Sequence, residues 1–303
     1  MQPTLVSLLA DPNDGGDLQL HTFASHLGSV REGVLLNPLT GRWYPVQNGI
    51  PTLFADALRP DDVSFVRQWS DQLTALGCAF ETQVAERHVD FARIESERLA
   101  RDQQAEYYDN LISLKMLGWF EVPAYRRAMD LAGAPEAALP ILEAGGGTGR
   151  FTGLFAQEGP PVVSIDMSRD SIERNRVRHL GNTRAPVHYV HADLTHLPLK
   201  SGAFGRVLHV GVYEHIPSRG LREQFLSHAR RVLVPQGRLL LSAYRYGGLT
   251  KRFEKEGEHA GGIPFFRFTE DELRDEVGPY FDVQNWKGNL GIYMSMLTAQ
   301  PRA

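Results

Sequence analysis

From Leu139 onward, short apolar runs alternate with segments of helical length. The runs are Pro140 to Glu143, Val162 to Asp166, Val187 to Val190, Val207 to Val210 and Arg238 to Ser242. Strands separated by helices predict a parallel sheet. The end of the chain reads differently. Thr269-Glu270-Asp271-Glu272 is a capping-box start for a helix, followed by strand-like Phe281 to Trp286, a turn at Gly288-Asn289 and strand-like Ile292 to Thr298. Two strands joined by so short a link must pair antiparallel. Upstream, Asp61 to Gly133 has few Gly or Pro, apolar residues at helical spacing and the opposite-charge pair Glu97 and Arg101 four apart, which predicts two or three helices. Residues 1 to 60 place β-prone pieces such as Arg42 to Val46 between turn formers, including Asp11-Pro12-Asn13-Asp14-Gly15-Gly16, Asn37-Pro38, Thr40-Gly41 and Asn48-Gly49-Ile50-Pro51. The expected organisation is a small β module (1–60), a helical lid or linker (61–133) and an α/β core (134–303).

Composition narrows the function classes. The 303 residues suit one main domain with an appendage. Hydrophobic residues make up 42% and charged residues 22%, an ordinary globular mixture. Lys and Arg number 32 against 36 Asp and Glu, and this net charge of −4 supplies no global attraction to nucleic acid or to an anionic membrane. The single cysteine, Cys78, rules out an intrachain disulfide and a zinc site of several thiolates, and reads as a small buried apolar residue. The first residues lack a secretory leader pattern and no run reaches transmembrane length, so a cytoplasmic location is expected.

The sharpest local signal is Ile141-Leu142-Glu143-Ala144-Gly145-Gly146-Gly147-Thr148-Gly149-Arg150-Phe151, a strand running into a glycine turn and then a helix expected to start near Gly149. Missing Cβ atoms let a ligand press against the backbone, and a helix start offers unpaired N–H groups. The dinucleotide fingerprint would put a small residue where Arg150 stands, and no Gly-Lys-Ser/Thr follows as in a phosphate-binding P-loop. Two acids accompany the turn: Asp166 closes the next strand and Asp193 follows the third. Carboxylates at strand carboxyl ends face the ligand crevice of an open α/β sheet. Asp166 can accept from both hydroxyls of a ribose, and Asp193 from an adenine amino group.

Residues 139 to 245 resemble a class I S-adenosylmethionine-dependent methyltransferase. Glu143-x-Gly145-x-Gly147-x-Gly149 is similar to that family's first motif, Ser164-Ile165-Asp166-Met167-Ser168 to its ribose strand and Ala192-Asp193-Leu194 to its adenine loop. Val210 to Ile216 and Ala229 to Leu239 resemble the segments after strand four and before strand five. Gly205 and Gln236 depart from the pattern, at strand approaches away from the cofactor. The resemblance implies an α/β, Rossmann-like, seven-stranded mostly parallel sheet with an antiparallel final hairpin. It also implies S-adenosylmethionine, leaving as S-adenosylhomocysteine, held by Glu143, Gly145, Gly146, Gly147, Gly149, Asp166, Met167, Asp193, Leu194 and Val210.

Methyl transfer needs alignment first and a base only for some nucleophiles. His215 is the candidate base, since it follows strand four at the crevice beside Glu214; the alternative is that Glu214-His215 merely opens the helix running to Val234. Tyr213, Tyr244, Arg245 and the insert from His259 to Phe268 are the candidate acceptor wall, with Tyr107, Tyr108, Trp119 and Phe120 as lid candidates. The expected reaction is methylation of a small-molecule acceptor. RNA base methylation and a non-catalytic, cofactor-binding scaffold are the alternatives.

Residues 8 to 54 resemble the zinc-ribbon module of the activator subunit for tRNA and protein methyltransferases, notably Gly41 to Leu53. Where zinc-binding relatives carry cysteines this chain has Asp11, Asp14, Asn37 and Thr40, a poor set for structural zinc, so no metal is expected even with His21 and His26 nearby. Residues 1 to 62 hold three arginines against seven carboxylates, which argues against an RNA-binding appendage. The expected partners are the small acceptor and, as a candidate assembly, a second copy in a homodimer, with neither membrane nor nucleic acid.

Overall fold

A computed structural model of the chain describes residues 1–60, 62–78, 91–104, 112–130, 134–157, 159–259, 262–290 and 293–302. Its centre is a seven-stranded sheet. In chain order the strands are β5 (Ile141–Ala144), β6 (Val162–Asp166), β7 (Val187–His191), β8 (Phe204–Val210), β9 (Leu233–Tyr244), β12 (Phe281–Leu290) and β13 (Met294–Pro301). They lie in the order β12-β13-β9-β8-β5-β6-β7. Neighbours from β9 to β7 pair parallel, whereas β13 runs antiparallel to both β9 and β12. The strand order reverses between β5 and β6 on one side and β8 on the other, which opens a crevice at the carboxyl ends of these strands.

The first four strands, β1 (Gln19–His26), β2 (Ser29–Leu36), β3 (Trp43–Gln47) and β4 (Ile50–Pro51), form a separate antiparallel sheet in that order. Val34 and Trp43 of this sheet pack with Phe65, Leu73 and Cys78 in a small core of their own, while other residues of the module join the main core. Leu5, Leu9, Leu35, Tyr44, Val46, Leu53 and Phe54 join the same buried cluster as Val163, Ile165 and Val190 of the large sheet. Just past β4, Thr52 bridges in parallel to His191 and the Leu53 N–H donates to the His191 carbonyl at 2.9 Å, so the small module covers the free edge of β7. Arg169 reinforces the docking through the Gln47 carbonyl at 2.8 Å.

Three helices, α1 (Val63–Ala75), α2 (Phe91–Gln104) and α3 (Ile112–Met129), occupy the predicted helical stretch. The carboxyl end of α3 is held to the base of the sheet: Arg206 reaches the Met129 carbonyl at 3.3 Å and Arg238 the Ala128 carbonyl at 2.8 Å, cations meeting the negative end of a helix. Tyr107 and Tyr108, and the side chains of Glu97, Trp119 and Phe120, lie outside the described residues. The remaining helices are α4 (Thr152–Phe155), α5 (Arg169–His179), α6 (Arg219–Val232) and α7 (Glu270–Val277), and a small hairpin of β10 (Glu256–His259) and β11 (Ile263–Phe266) stands after β9. No helix among the described residues is long and apolar enough to cross a membrane.

The structure corrects three expectations of element boundaries. The helix expected from Gly149 begins at Thr152, because Gly149 sits in the left-handed region at φ +90° and extends the turn. The stretch from Glu214 to Val234 is not one helix: a 3-10 turn spans Tyr213–His215, Pro217 interrupts, and Ser218 caps a new helix by accepting from the Leu221 N–H. The final hairpin turns later than Gly288-Asn289, since β12 continues to Leu290.

The positions that stand for ribbon cysteines do meet in space, but as a hydrogen-bond cluster. One Asp11 oxygen accepts from the Asn13 N–H (2.9 Å) and the Tyr44 hydroxyl (2.7 Å), and the other from the Asn37 amide (2.8 Å), which also approaches Asp14 at 3.3 Å. Thr40 is turned away to accept from the Arg42 N–H. Carboxylates already saturated by N–H and O–H donors, with no thiolate or imidazole among them, do not fit zinc. His21 and His26 lie on β1 opposite Val34 and Ser29. Asp11→Ala should therefore lower stability by about 2 kcal/mol by stranding the buried Tyr44 hydroxyl and Asn37 amide. A chelator should leave the wild-type urea melt unchanged.

Candidate functional site

The crevice is built on one buried carboxyl. Glu143, at the end of β5, is 5% exposed and accepts from the hydroxyls of Thr152 (2.5 Å) and Ser164 (2.7 Å), and Asn175 of α5 donates to both hydroxyls. Burial pushes its acid up to about 7, against the pull of those two donors. The glycine turn is fitted to this bracket. A Cβ on Gly146 would lie 2.0 Å from the Ser164 hydroxyl, and Gly145, at φ +86°, leaves no room beside Val212. Gly147 differs: it lines the cavity at φ +51°, and a Cβ there would meet nothing within 4 Å. Its open face gives a ligand direct access to the backbone.

The two acids at the strand ends face the same cavity. Asp166 accepts from the Gly147 N–H at 2.7 Å and the Ser168 N–H at 2.9 Å, one on each oxygen, which fixes the carboxyl plane at the lip. Burial raises its acid above the usual carboxylate range. Asp193 accepts from the Thr195 N–H at 2.7 Å through one oxygen, and its second oxygen takes no bond from the described residues. Met167, Leu194 and Val210 supply apolar wall between these polar groups. Of the residues the sequence assigns to the cofactor, Gly149 alone is off the cavity. Its Cβ would collide with Asn175, so it serves the close packing of turn on α5.

The candidate acceptor residues separate. His215, Tyr244 and His259 come together: the His215 ring centre is 5.6 Å from Tyr244 and 5.5 Å from His259, and the Tyr244 hydroxyl meets His259 Nε2 at 3.4 Å. His215 Nδ1 donates to the Pro264 carbonyl of β11 at 2.8 Å, which fixes the tautomer and leaves Nε2 as an acceptor, 3.9 Å from Glu214. Burial, then Arg101, pushes His215 well below the usual histidine range. Tyr213 is corrected out of the wall. Its side chain is fully buried on the opposite side of the turn, where its hydroxyl donates to Glu276 at 2.7 Å and shares that carboxylate with a bidentate Arg222. Arg245 is also apart, with its guanidinium packed over Gly247 and Gly248.

Sequence reasoning gave no site role to several charged groups on or near the cavity. Arg101 of α2 lines it, and the neighbouring Asp102 accepts from the Ser168 hydroxyl at 2.6 Å, latching the helix onto the start of α5. Arg150, noticed only as a break in dinucleotide spacing, faces buried Glu121 of α3 at 3.2 Å. Glu214 is fully buried with neither carboxyl oxygen hydrogen-bonded, and burial pushes its acid up to about 8. Between 4.5 and about 8 the folded chain thus keeps a proton that the unfolded chain releases, so stability falls as pH rises through this window. Glu214→Gln should match wild type near pH 5 and exceed it near pH 8 by on the order of 3 kcal/mol in urea melts. A pH-independent difference would show that the carboxyl is not held neutral.

A family model, the methyltransferase domain, matches residues 142–241. The chain is 33% identical over 145 residues to a demethylmenaquinone methyltransferase of Clavibacter sepedonicus, an alignment covering 47% of this chain and 56% of the relative. It is 31% identical over 134 residues to the uncharacterized methyltransferase YodH of Bacillus subtilis, covering 42% and 55%. The chain thus spans little more than half the length of these curated relatives. Among solved structures, the CcbJ methyltransferase of Streptomyces caelestis superposes with a TM-score of 0.57 at 16% identity, covering 68% of this chain and 99% of that one. DhpI in complex with SAH superposes with a TM-score of 0.52 at 19% identity, covering 69% and 96%. Residues 142–241 thus match a methyltransferase domain in sequence, and the chain shares its fold with solved methyltransferases.

Proposed function

We propose that this protein transfers a methyl group from S-adenosylmethionine to a small-molecule acceptor with an O, N or C nucleophile, releasing S-adenosylhomocysteine. The observation that carries the reading is the cavity formed by the open Gly147 face, the Asp166 carboxylate and the spare Asp193 oxygen on three neighbouring strand ends. This donor and acceptor set fits an adenosyl group: Asp166 for the ribose hydroxyls, Asp193 for the adenine amino group, and Met167 and Leu194 for the faces of the base. When bound, the cofactor supplies an electrophilic methyl that needs no further activation.

What the chain's own residues contribute is position and dryness. Past the end of β8, Gly211, Val212 and Ile216 form part of the cavity wall, and the β10–β11 hairpin holds His215 through the Pro264 carbonyl. His215 Nε2, kept neutral by burial and one residue before cavity-lining Ile216, is the group we assign to accept a proton from the nucleophile. An enclosed space of this kind suits a small acceptor, and the acidic small module offers no basic surface for RNA phosphates.

Incubation with methyl-labelled cofactor and cell extract should place the label in material that passes a small-molecule filter and leave total RNA unlabelled. Label in RNA would establish the rival reading. With the acceptor so identified, His215→Asn should lower kcat by roughly 10² with little change in cofactor affinity. An unchanged kcat would remove His215 from proton transfer.

A further inference from the structure

Two of the loops that carry the candidate cofactor residues are held from outside the large sheet, by the small N-terminal module. His191, the last residue of β7 and 4% exposed, stands between them. Its Nε2 lies 3.1 Å from the Met167 carbonyl, which can only accept, so Nε2 carries the proton. Nδ1 is thereby left to accept from the Thr52 hydroxyl at 3.2 Å. Burial, then Arg169, pulls the ring down to about 3, so it stays neutral and keeps this arrangement. Thr52, just past β4, thus reaches through one buried ring to the backbone of a residue that lines the cavity.

The loop after β6 is gripped a second time. Arg169, which follows Ser168 at the start of α5, donates to the Gln47 carbonyl at 2.8 Å and to the Thr52 hydroxyl at 3.4 Å. The loop after β7, which carries Asp193, is fixed on both sides. Before it, the Leu53 N–H donates to the His191 carbonyl at 2.9 Å. After it, the Ala10 N–H donates to the Pro198 carbonyl at 3.0 Å and the Lys200 N–H to the Leu8 carbonyl at 2.9 Å. Because β7 is the last strand of the large sheet, the loop after it has no outer neighbour in that sheet, and such edges are where local opening is easiest. The module supplies that neighbour.

On the cofactor reading above, which this inference rests on, the first loop gives Asp166 and Met167 to the adenosyl group and the second gives Asp193 and Leu194. We infer that the small module is a working part of the cofactor site, in which Thr52, acting through His191, is a positioning residue that holds these two loops at the spacing adenosine requires. A radial gap of about 0.5–1 Å forfeits a quarter to a half of a dispersion contact. Releasing one wall therefore weakens binding without altering any group that touches the ligand.

Titration calorimetry with S-adenosylhomocysteine and with methylthioadenosine, which fills the adenosine end and lacks the amino-acid end, tests this without the acceptor. Thr52→Val keeps the side-chain shape and removes the hydroxyl. Both ligands should bind it about tenfold more weakly, at a temperature where circular dichroism shows the variant folded. Thr52→Ser should restore both affinities to within about threefold of wild type. Asp11→Ala weakens the module away from this contact and should leave both within about twofold. If Thr52→Val does not fold, Arg169→Gln carries the test, with both affinities lowered about fivefold. Unchanged affinities in the folded Thr52 or Arg169 variant overturn the inference. An equal loss in Asp11→Ala also overturns it, by making the module a source of stability alone. So does a loss confined to S-adenosylhomocysteine, which places the effect at the amino-acid end. Wild type that binds neither ligand would instead remove the cofactor reading itself, an outcome distinct from these.

Discussion

The buried bracket around Glu143 is the constraint on which the rest of the site depends. One carboxyl at the end of β5 gathers a hydroxyl from β6 and another from α4, and Asn175 of α5 closes the ring. Because Gly146 lies against this ring without room for a Cβ, the turn above it has a single course. That course turns the Gly147 N–H toward Asp166 and its open face toward the cavity. The network is satisfied on its Glu143 side, while Asn175 Oδ1 is buried without a partner among the described residues. The same residues therefore set the stability of the crevice and its shape.

Around the bracket, hydrogen-bond partners distinguish the acids. Asp166 and Asp193 sit at the lip with backbone N–H partners, as ligand-facing carboxylates do. Glu143 and Glu214 lie deeper and are pushed up to about 7 and about 8 by burial, one within a closed ring and the other without partners. The 3-10 turn at Tyr213–His215 divides its side chains accordingly. Tyr213 anchors it into the Arg222 and Glu276 pair, while His215 turns to the Pro264 carbonyl and Glu214 lies buried beside it. The anchor is what allows an unsatisfied acid to be held in place.

The core strands, the reversed final hairpin and the glycine turn were legible in the sequence because each is a local pattern. The apolar runs, Gly145 to Gly149 and the acids closing β6 and following β7 can each be read from a few consecutive positions. Direction within an irregular turn was not legible: Tyr213 and His215 are two residues apart, yet one reaches Glu276 and the other Pro264, Tyr244 and His259. Arg101 and Glu121 were missed for a different reason. They belong to helices whose only sequence signal is amphipathic spacing, and the docking that brings them to the cavity depends on contacts such as Asp102 with Ser168, 66 residues apart. The small module was read as a β unit, but its docking on the large sheet appears only when Thr52 is seen beside His191.

The claim on which the account stands is that Asp166 and the glycine turn hold S-adenosylmethionine. Calorimetric titration of S-adenosylmethionine and S-adenosylhomocysteine into wild type and Asp166→Ala tests it directly. The account predicts one site for each ligand on wild type, with affinity lowered about a hundredfold in the variant through loss of paired hydrogen bonds to a charged acceptor. Wild-type protein that is folded and binds neither ligand would contradict it.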